Sequence, residues 1–218
     1  VKSYNALYKE NFTPKSVIGY HAPNEKIDLI MHGSPCQDFS RSGLKRGGIK
    51  DSGTRSSLLF ETVRIIEEMK DRPRIVLWEN VKGVLDSNMR TSFFHYLGEM
   101  KRLVYESKYE ILNAMDFSIP QKRERIYMIC FREDIKRETF VFPKPFQLDR
   151  YVEDFLLPSN KVIDYIVERD DLLLNDKAET TENSNSTIRV GTVGKGGQGE
   201  RVYSPKGIAI TLSAYGGG

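Results

Sequence analysis

The chain has few cysteines and no long apolar run. Only two of its 218 residues are cysteine, Cys36 and Cys130. Two cysteines do not make a disulfide framework, and neither has His or Cys neighbours at the spacing of a zinc site. No stretch approaches the roughly 18 apolar residues that a membrane helix needs, and the first residues do not read as a signal peptide. We therefore expect a protein of the reducing cytoplasm, without a metal and without a membrane partner.

No charge of one sign dominates, since the formal net charge is +3. The charge is nevertheless uneven along the chain. Residues 41–55 carry five basic residues and one acidic residue, residues 189–206 carry four and one, and residues 164–182 carry two and seven. Basic loops beside an acidic segment are typical of a protein that binds a polyanion on one face. Composition alone favours the simpler interpretation, which is charge spread over a solvated surface.

Strand and helix patterns alternate over the first two thirds of the chain and predict an α/β fold with a mostly parallel sheet. The last two strands of this part could form a hairpin. Beyond residue 142, prolines and then a glycine-dense segment replace this alternation, and there are no internal repeats. We expect domains at 1–157 and at 158–218, the second a linker with a smaller β-rich region. The predicted strands are 27–31, 74–78, 109–115, 125–131, 201–203 and 208–212, and the predicted helices are 58–69 and 93–104.

Cys36 is the first candidate for chemistry. It follows the apolar strand at 27–31 on a Gly-Ser-Pro turn, where open α/β sheets place their reactive groups. The polar, glycine-rich residues 38–53 come next and predict a long loop rather than a helix. This arrangement suggests a nucleophile with a lid.

Three charged residues are candidates to share a site with Cys36. Glu79 follows the predicted strand at 74–78, so it is expected at the same rim of the sheet. Arg123 and Arg125 are two residues apart and share one face of an extended chain. Each has a simpler interpretation when taken alone: a helix N-cap neighbour or a solvated loop acid for Glu79, and a charge ladder that protects an edge strand for the arginines.

Together these pieces resemble a known pattern. The order Pro35-Cys36-Gln37, Glu79-Asn80-Val81 and Gln121-x-Arg123-x-Arg125 resembles the DNA cytosine-5 methyltransferase family. The segments at 114–132, 193–201 and 207–218 are similar to bacterial restriction-modification members of that family. The resemblance extends over nearly the whole chain.

The resemblance implies a Rossmann-like S-adenosylmethionine-dependent methyltransferase sheet with a target-recognition region, acting on duplex DNA. The target cytosine would be flipped out of the helix, because a stacked base cannot reach such a site. The thiolate of Cys36 would add to C6 of that base. Glu79 would bind the N3 edge, Arg125 would hydrogen-bond O2, and Arg123 would orient the acid or a phosphate. The base that removes the C5 proton is not identified.

The resemblance also assigns binding residues. Gln198 would fill the gap left by the flipped base, and Arg201 would read a guanine edge at a GCGC-like site, while Thr211 would contact a phosphate. The segment at 43–57 is several residues longer than in the family pattern. The expected cofactor residues are Pro35 and Asn80, and the expected DNA-binding residues are Gln37, Ser40, Arg41, Ser42, Gln198, Arg201, Thr211 and Tyr215.

The family pattern predicts that the sequence is incomplete at both ends. The glycine turn that holds the cofactor is not found before Val1, and the family's closing motifs would follow Gly218. The complete enzyme is expected to be a monomer, and a restriction endonuclease that acts on the same site is a candidate partner. Three alternatives are a catalytically incompetent DNA-binding fragment, an RNA cytosine methyltransferase and a cysteine hydrolase.

Each alternative has evidence against it in the sequence. The residues expected to act on the base are all intact, which argues against a decayed fragment. The similarity of the recognition region to enzymes that read duplex DNA argues against an RNA substrate. A hydrolase would need a histidine in a comparable loop with an acid to orient it, and none of His21, His32 and His95 stands in such a place.

Overall fold

The structure is a computed structural model that describes residues 1–34, 58–87, 89–135 and 140–211. Over these residues the chain forms two compact units. The first comprises Val1–Glu110 and Ile126–Phe140, and the second comprises Ile111–Arg125 and Val141–Gly218.

Over its described residues, the first unit contains three α-helices and most of a four-stranded sheet, so the α/β prediction is confirmed. The order across the sheet is β1 (Leu29–His32), β2 (Ile75–Val81), β4 (Glu124–Arg132) and β3 (Tyr105–Asn113), and β1 and β2 are parallel. Backbone hydrogen bonds link Glu133 to Val104 and Ala114 to Arg123, so β3 and β4 run antiparallel as the predicted hairpin. The elements are α1 (Lys2–Tyr8), β1 (Leu29–His32), α2 (Leu59–Glu68), β2 (Ile75–Val81), α3 (Arg90–Arg102), β3 (Tyr105–Asn113) and β4 (Glu124–Arg132).

Strand β2 is longer than its apolar run predicts. The prediction ended it at residue 78, with Glu79 just beyond, whereas the strand continues through Glu79 and Asn80 to Val81. Burial alternates along it, so that Val76, Trp78 and Asn80 all face the core. Asn80 is polar, so a search for alternating apolar residues ends the strand too early.

The core of the first unit is supplied largely by α2, α3 and β4, and β2 adds Val76 and Trp78. Trp78 is fully buried, and its ring stacks on Phe93 with centroids 5.6 Å apart. Helix α3 buries Phe93, Tyr96 and Met100, which recur at the spacing of one helical face. On the surface, Arg102 of α3 pairs with Glu67 of α2 at 2.7 Å. Helices α2 and α3 thus pack against β1 and β2.

The second unit contains a small sheet with the strands β5 (Leu173–Leu174), β6 (Arg189–Thr192) and β7 (Arg201–Tyr203). These strands pair antiparallel in the order β5-β6-β7. Strand β7 has the predicted bounds. The predicted strand at 208–212 is not a strand over its described residues, 208–211, where Ala209 makes only an isolated bridge with Gln121. Strand β5 was not predicted, because its two leucines lie in the acidic segment and carry no alternation of their own.

Candidate functional site

Glu79 lies beside the end of β1. His32 is the register partner of Trp78, so the next residues of the two parallel strands, Gly33 and Glu79, are neighbours. A Cβ placed on Gly33 would be 3.5 Å from the Glu79 Oε2 atom. The half-buried carboxylate therefore lies over the backbone that leads to Ser34 and on to Cys36. This is the rim of the sheet at which the sequence predicted the chemistry.

Asn80 fastens the end of β2 to the residue that follows Gly33. Its Nδ2 donates to the Ser34 carbonyl at 3.2 Å and to Ser34 Oγ at 2.8 Å. Its Oδ1 accepts the Val81 N–H at 2.8 Å. The indole N–H of Trp78 also donates to Ser34 Oγ, at 3.3 Å. Ser34, two positions before Cys36 in the sequence, is thus held by two core residues, a role that sequence reasoning did not assign to it.

His32, the last residue of β1, joins three elements. Its Nε2 lies 2.9 Å from the Tyr96 hydroxyl on α3, and its Nδ1 lies 3.2 Å from Thr62 Oγ1 on α2. Burial lowers the pKa of His32 to about 4, so the ring is neutral at neutral pH. A neutral imidazole has one donor and one acceptor nitrogen, which suits two hydroxyl partners. Sequence reasoning noted His32 only as an unsuitable hydrolase residue; the signal available was a histidine closing an apolar strand.

Arg123 and Arg125 belong to the second unit. The backbone N–H of Arg123 donates to Asn113 Oδ1 at 2.9 Å, and its carbonyl accepts the Ala114 N–H at 3.1 Å. Arg125 is the second residue of β4, and its guanidinium donates to the Glu124 carbonyl at 2.8 Å. Both side chains are half-buried. The backbone at the entry to β4 is therefore fixed by Asn113, while the two guanidinium groups stay partly accessible.

The segment between β6 and β7, residues 193–200, forms a hairpin loop that we call the glycine loop. The Val193 N–H donates to the Glu200 carbonyl at 2.8 Å and closes its base. The Gly197 N–H donates to Glu200 Oε2 at 2.7 Å. Gly194 has a φ of 55°, and a Cβ there would come within 2.5 Å of Glu200 Oε1. Only glycine at 194 leaves room for the Glu200 carboxylate inside the loop.

The predicted DNA-reading residues lie on or next to this loop and on the chain that follows it. The backbone of Gln198 begins a short 3₁₀ turn that ends at Glu200, and the Gln198 side chain lies outside the described part of the structure. Arg201 is the exposed first residue of β7, opposite Thr192. Thr211 is exposed.

Several predicted site residues lie outside the described residues, and the structure gives no account of them. They are Pro35, Cys36, Gln37, Ser40, Arg41, Ser42 and Tyr215.

The other cysteine, Cys130, is buried in the core of the first unit and accepts a hydrogen bond from Ser107 Oγ at 3.2 Å. Burial raises the pKa of the Cys130 thiol to about 12, so it is not a nucleophile at neutral pH. Within the described ranges, no cluster of three or more His, Cys, Asp or Glu side chains could hold a metal ion. None of the helices described there is long and apolar enough to cross a membrane.

Comparison with known proteins gives consistent matches. The family described as C-5 cytosine-specific DNA methylase matches residues 2–212. The type II methyltransferase M.HhaI of Haemophilus parahaemolyticus is 45% identical over 216 residues, which cover 97% of this chain and 64% of that protein. The orphan methyltransferase M.SssI of Spiroplasma monobiae is 31% identical, over 90% of this chain and 50% of that protein. The chain thus spans between 50% and 64% of the length of these two relatives.

A solved structure shares the fold. The Entamoeba histolytica methyltransferase EhMeth superposes with a TM-score of 0.53 at 19% identity, over 74% of this chain and 52% of that one.

Proposed function

Because the chain belongs to the C-5 cytosine-specific DNA methylase family, we propose that it is part of a DNA (cytosine-5-)-methyltransferase that modifies a flipped-out cytosine in duplex DNA. The observation that carries the proposal is the position of Glu79. Its carboxylate lies against Gly33, where the segment that leads to Cys36 leaves the sheet. A carboxyl group and a thiol that approach one base from adjacent strand ends suit addition to an aromatic ring.

The proposed mechanism assigns one step to each of the chain's own groups. The Cys36 thiolate adds to C6, and the electron pair displaced from the C5–C6 bond makes C5 a nucleophile. Glu79 holds a proton at N3 and so offsets the charge that builds on the ring. Arg125 donates to O2, and Arg123 orients the acid or a phosphate. After methylation, loss of the C5 proton lets the thiolate leave; the group that takes that proton is not assigned.

The methyl donor would bind at the carboxyl ends of β1 and β2, the part of a Rossmann-like sheet that holds ligands. S-adenosylmethionine supplies an electrophilic methyl group when bound. Asn80 fits a role in shaping this pocket, since its side-chain amide is committed to Ser34 and to the Val81 N–H. With Pro35, it would form one wall of the pocket.

The second unit would read the target. Arg201 is exposed at the foot of the glycine loop, as a residue that reads a guanine edge must be. Gln198 would fill the gap in the duplex, while Thr211 and Tyr215 would complete the recognition surface. Gln37, Ser40, Arg41 and Ser42 would close over the extruded nucleotide. The similarity to a type II enzyme supports a GCGC-like site and a restriction-modification system, with a cytoplasmic monomer and a cognate endonuclease as further parts of the proposal.

The test compares two identical substitutions in the complete protein. Cys36→Ser is expected to reduce methylation of GCGC-containing duplex DNA to background, while DNA binding stays measurable. Cys130→Ser, the matched control, is expected to retain methylation because that thiol is buried and protonated. Bisulfite mapping of a treated plasmid gives the modified site. Turnover by Cys36→Ser would refute the mechanism, and wild-type protein that binds DNA without methylating it would favour the non-catalytic alternative.

A further inference from the structure

Asp171 stands where the register of the small sheet places it, opposite the start of the glycine loop. Strand β5 pairs antiparallel with β6, with Leu173 opposite Thr192 and Leu174 opposite Gly191. The same register, continued two residues beyond each strand, sets Asp171 against Gly194. The close pairing depends on Gly191, where a Cβ would lie 2.5 Å from the Leu173 carbonyl oxygen.

The contacts agree with this register. The Gly194 N–H donates to Asp171 Oδ2 at 2.8 Å. Gly194 is in the left-handed region at a φ of 55°, which glycine adopts without strain, and its N–H has its hydrogen-bond partner outside the loop. The carboxylate of Asp171 supplies that partner from a segment more than 20 residues earlier in the chain.

Arg169 fixes the same carboxylate from the other side. Its Nε and Nη2 atoms donate to the two Asp171 oxygens at 2.8 and 2.9 Å. The hydrogen bonds from Arg169, and to a smaller extent the one from the Gly194 N–H, lower the pKa of Asp171 to about 2. A bidentate pair of this kind orients a carboxylate more strongly than a single bond does.

We propose that Asp171 is a positioning residue that sets the conformation of the glycine loop, and through it the selectivity for the target sequence. The second half of this inference rests on the proposed function; the first half does not. Asp171 fixes the loop at Gly194, and Glu200 fixes it at Gly197 from within. Gln198 and Arg201 follow directly, so their approach to a base pair is set by these two anchors.

Hydrogen exchange tests the first half independently of activity. Asp171→Ala removes the acceptor, so amide exchange across residues 193–200 is expected to rise about tenfold or more, as for the loss of a hydrogen bond to a charged group. Asp171→Asn keeps an acceptor oxygen and is expected to fall between wild type and Asp171→Ala. The Asn variant keeps the inference testable if the Ala variant does not fold.

Asp170→Ala is the matched control, because it removes the same charge from the neighbouring position. Over the described residues, Asp170 makes no hydrogen bond to the glycine loop. The loop amides of Asp170→Ala are therefore expected to exchange at the wild-type rates. Equal loop exchange in Asp171→Ala and Asp170→Ala would overturn the positioning role.

Selectivity tests the second half. The quantity to measure is kcat/KM for a GCGC duplex divided by kcat/KM for a duplex in which one base pair beside the target cytosine is altered. This ratio is expected to fall about tenfold in Asp171→Ala and to stay at the wild-type value in Asp170→Ala. An unchanged ratio together with faster loop exchange would overturn the link to selectivity. Wild-type protein that methylates neither duplex would count against the proposed function, while the exchange comparison would still decide the positioning role.

Discussion

Asn80 is a polar residue in a core position, only 2% exposed, and its amide is used by Ser34 and Val81. A buried amide of this kind stabilises a fold only while all its partners are present, because each orphaned group keeps its desolvation cost. Its place at the last core-facing position of β2 links the packing of Trp78 to the position of Ser34. At the scale of single residues, packing and the candidate site are therefore coupled.

We expect Asn80→Ala to lower the free energy of unfolding by about 1–3 kcal/mol, because it leaves the Val81 N–H and the Ser34 groups without that partner. Urea denaturation measures the change. The exposed Asn24→Ala serves as the control and is expected to change stability by less than about 0.5 kcal/mol. Equal stability of the two variants would show that the Ser34 contacts contribute nothing.

His32 makes stability depend on pH. Its pKa in the folded protein is about 4, below the ordinary value of 6.5. The unfolded chain therefore binds a proton in this interval that the folded chain does not, so the free energy of unfolding falls as the pH is lowered from about 6.5 to about 4 and levels off above that range. In His32→Gln, which cannot titrate, the fall is expected to be shallower. Parallel curves for the two proteins across this interval would contradict the prediction.

The helices and strands differ in how well the sequence predicts them. Helices α2 and α3 were predicted because their apolar residues recur with a helical period, and the β3–β4 hairpin was predicted from the strand-like runs at 109–115 and 125–131. Strand β3 begins before its predicted run, at Tyr105, and ends at Asn113. Strand β5 has two residues and exists only through its pairing with β6. Such a strand leaves no periodic signal, and the register that brings Asp171 to Gly194 could not be predicted either.

In the candidate site, too, the sequence predicts some features and not others. Glu79 could be placed at the rim of the sheet from its position after an apolar run. The partners of Asn80 and His32 could not, because they come from elements up to 64 residues away in the chain. Motif order predicts which residues act, whereas tertiary packing decides which residues support them.

Two glycines provide a test at the scale of elements, with opposite expected signs. Gly98 lies inside α3, and a Cβ placed on it would meet no atom within 4 Å, so Gly98→Ala is expected to raise the free energy of unfolding by about 0.5–1 kcal/mol. Gly191→Ala is expected to lower it, because the new methyl group meets the Leu173 carbonyl and forces β5 away from β6. Thermal unfolding of both variants gives the comparison, and a stabilising Gly191→Ala would contradict the described β5–β6 pairing.

Over the whole molecule, the small net charge of +3 conceals basic segments that suit a polyanion. In the proposed account, phosphate contacts give affinity that falls with salt, and a few side chains give sequence selectivity. Arg201 is the strongest candidate for a side chain that gives sequence selectivity, since it is exposed beside the glycine loop.

We expect Arg201→Ala to lose about 1–3 kcal/mol of discrimination at one guanine position of the target, and to weaken binding to unrelated DNA much less. Competition binding with duplexes altered one base pair at a time measures both effects. Arg189→Ala, which removes an exposed arginine from the far end of the same β6–β7 pair, is the control. A uniform loss across all duplexes would assign Arg201 to phosphate contact instead.

The proposed function depends most on one step, the attack of Cys36 on C6 of an extruded cytosine. Its most direct test is the intact mass of the complete protein after incubation with S-adenosylmethionine and a duplex that carries 5-fluorocytosine at the target. Fluorine at C5 replaces the proton that must leave, so the thiol cannot be released and the adduct accumulates. We expect a covalent protein–DNA species whose peptide map places the bond at Cys36. Protein that binds this duplex and methylates the ordinary one, yet forms no adduct at Cys36, would contradict attack by this thiolate.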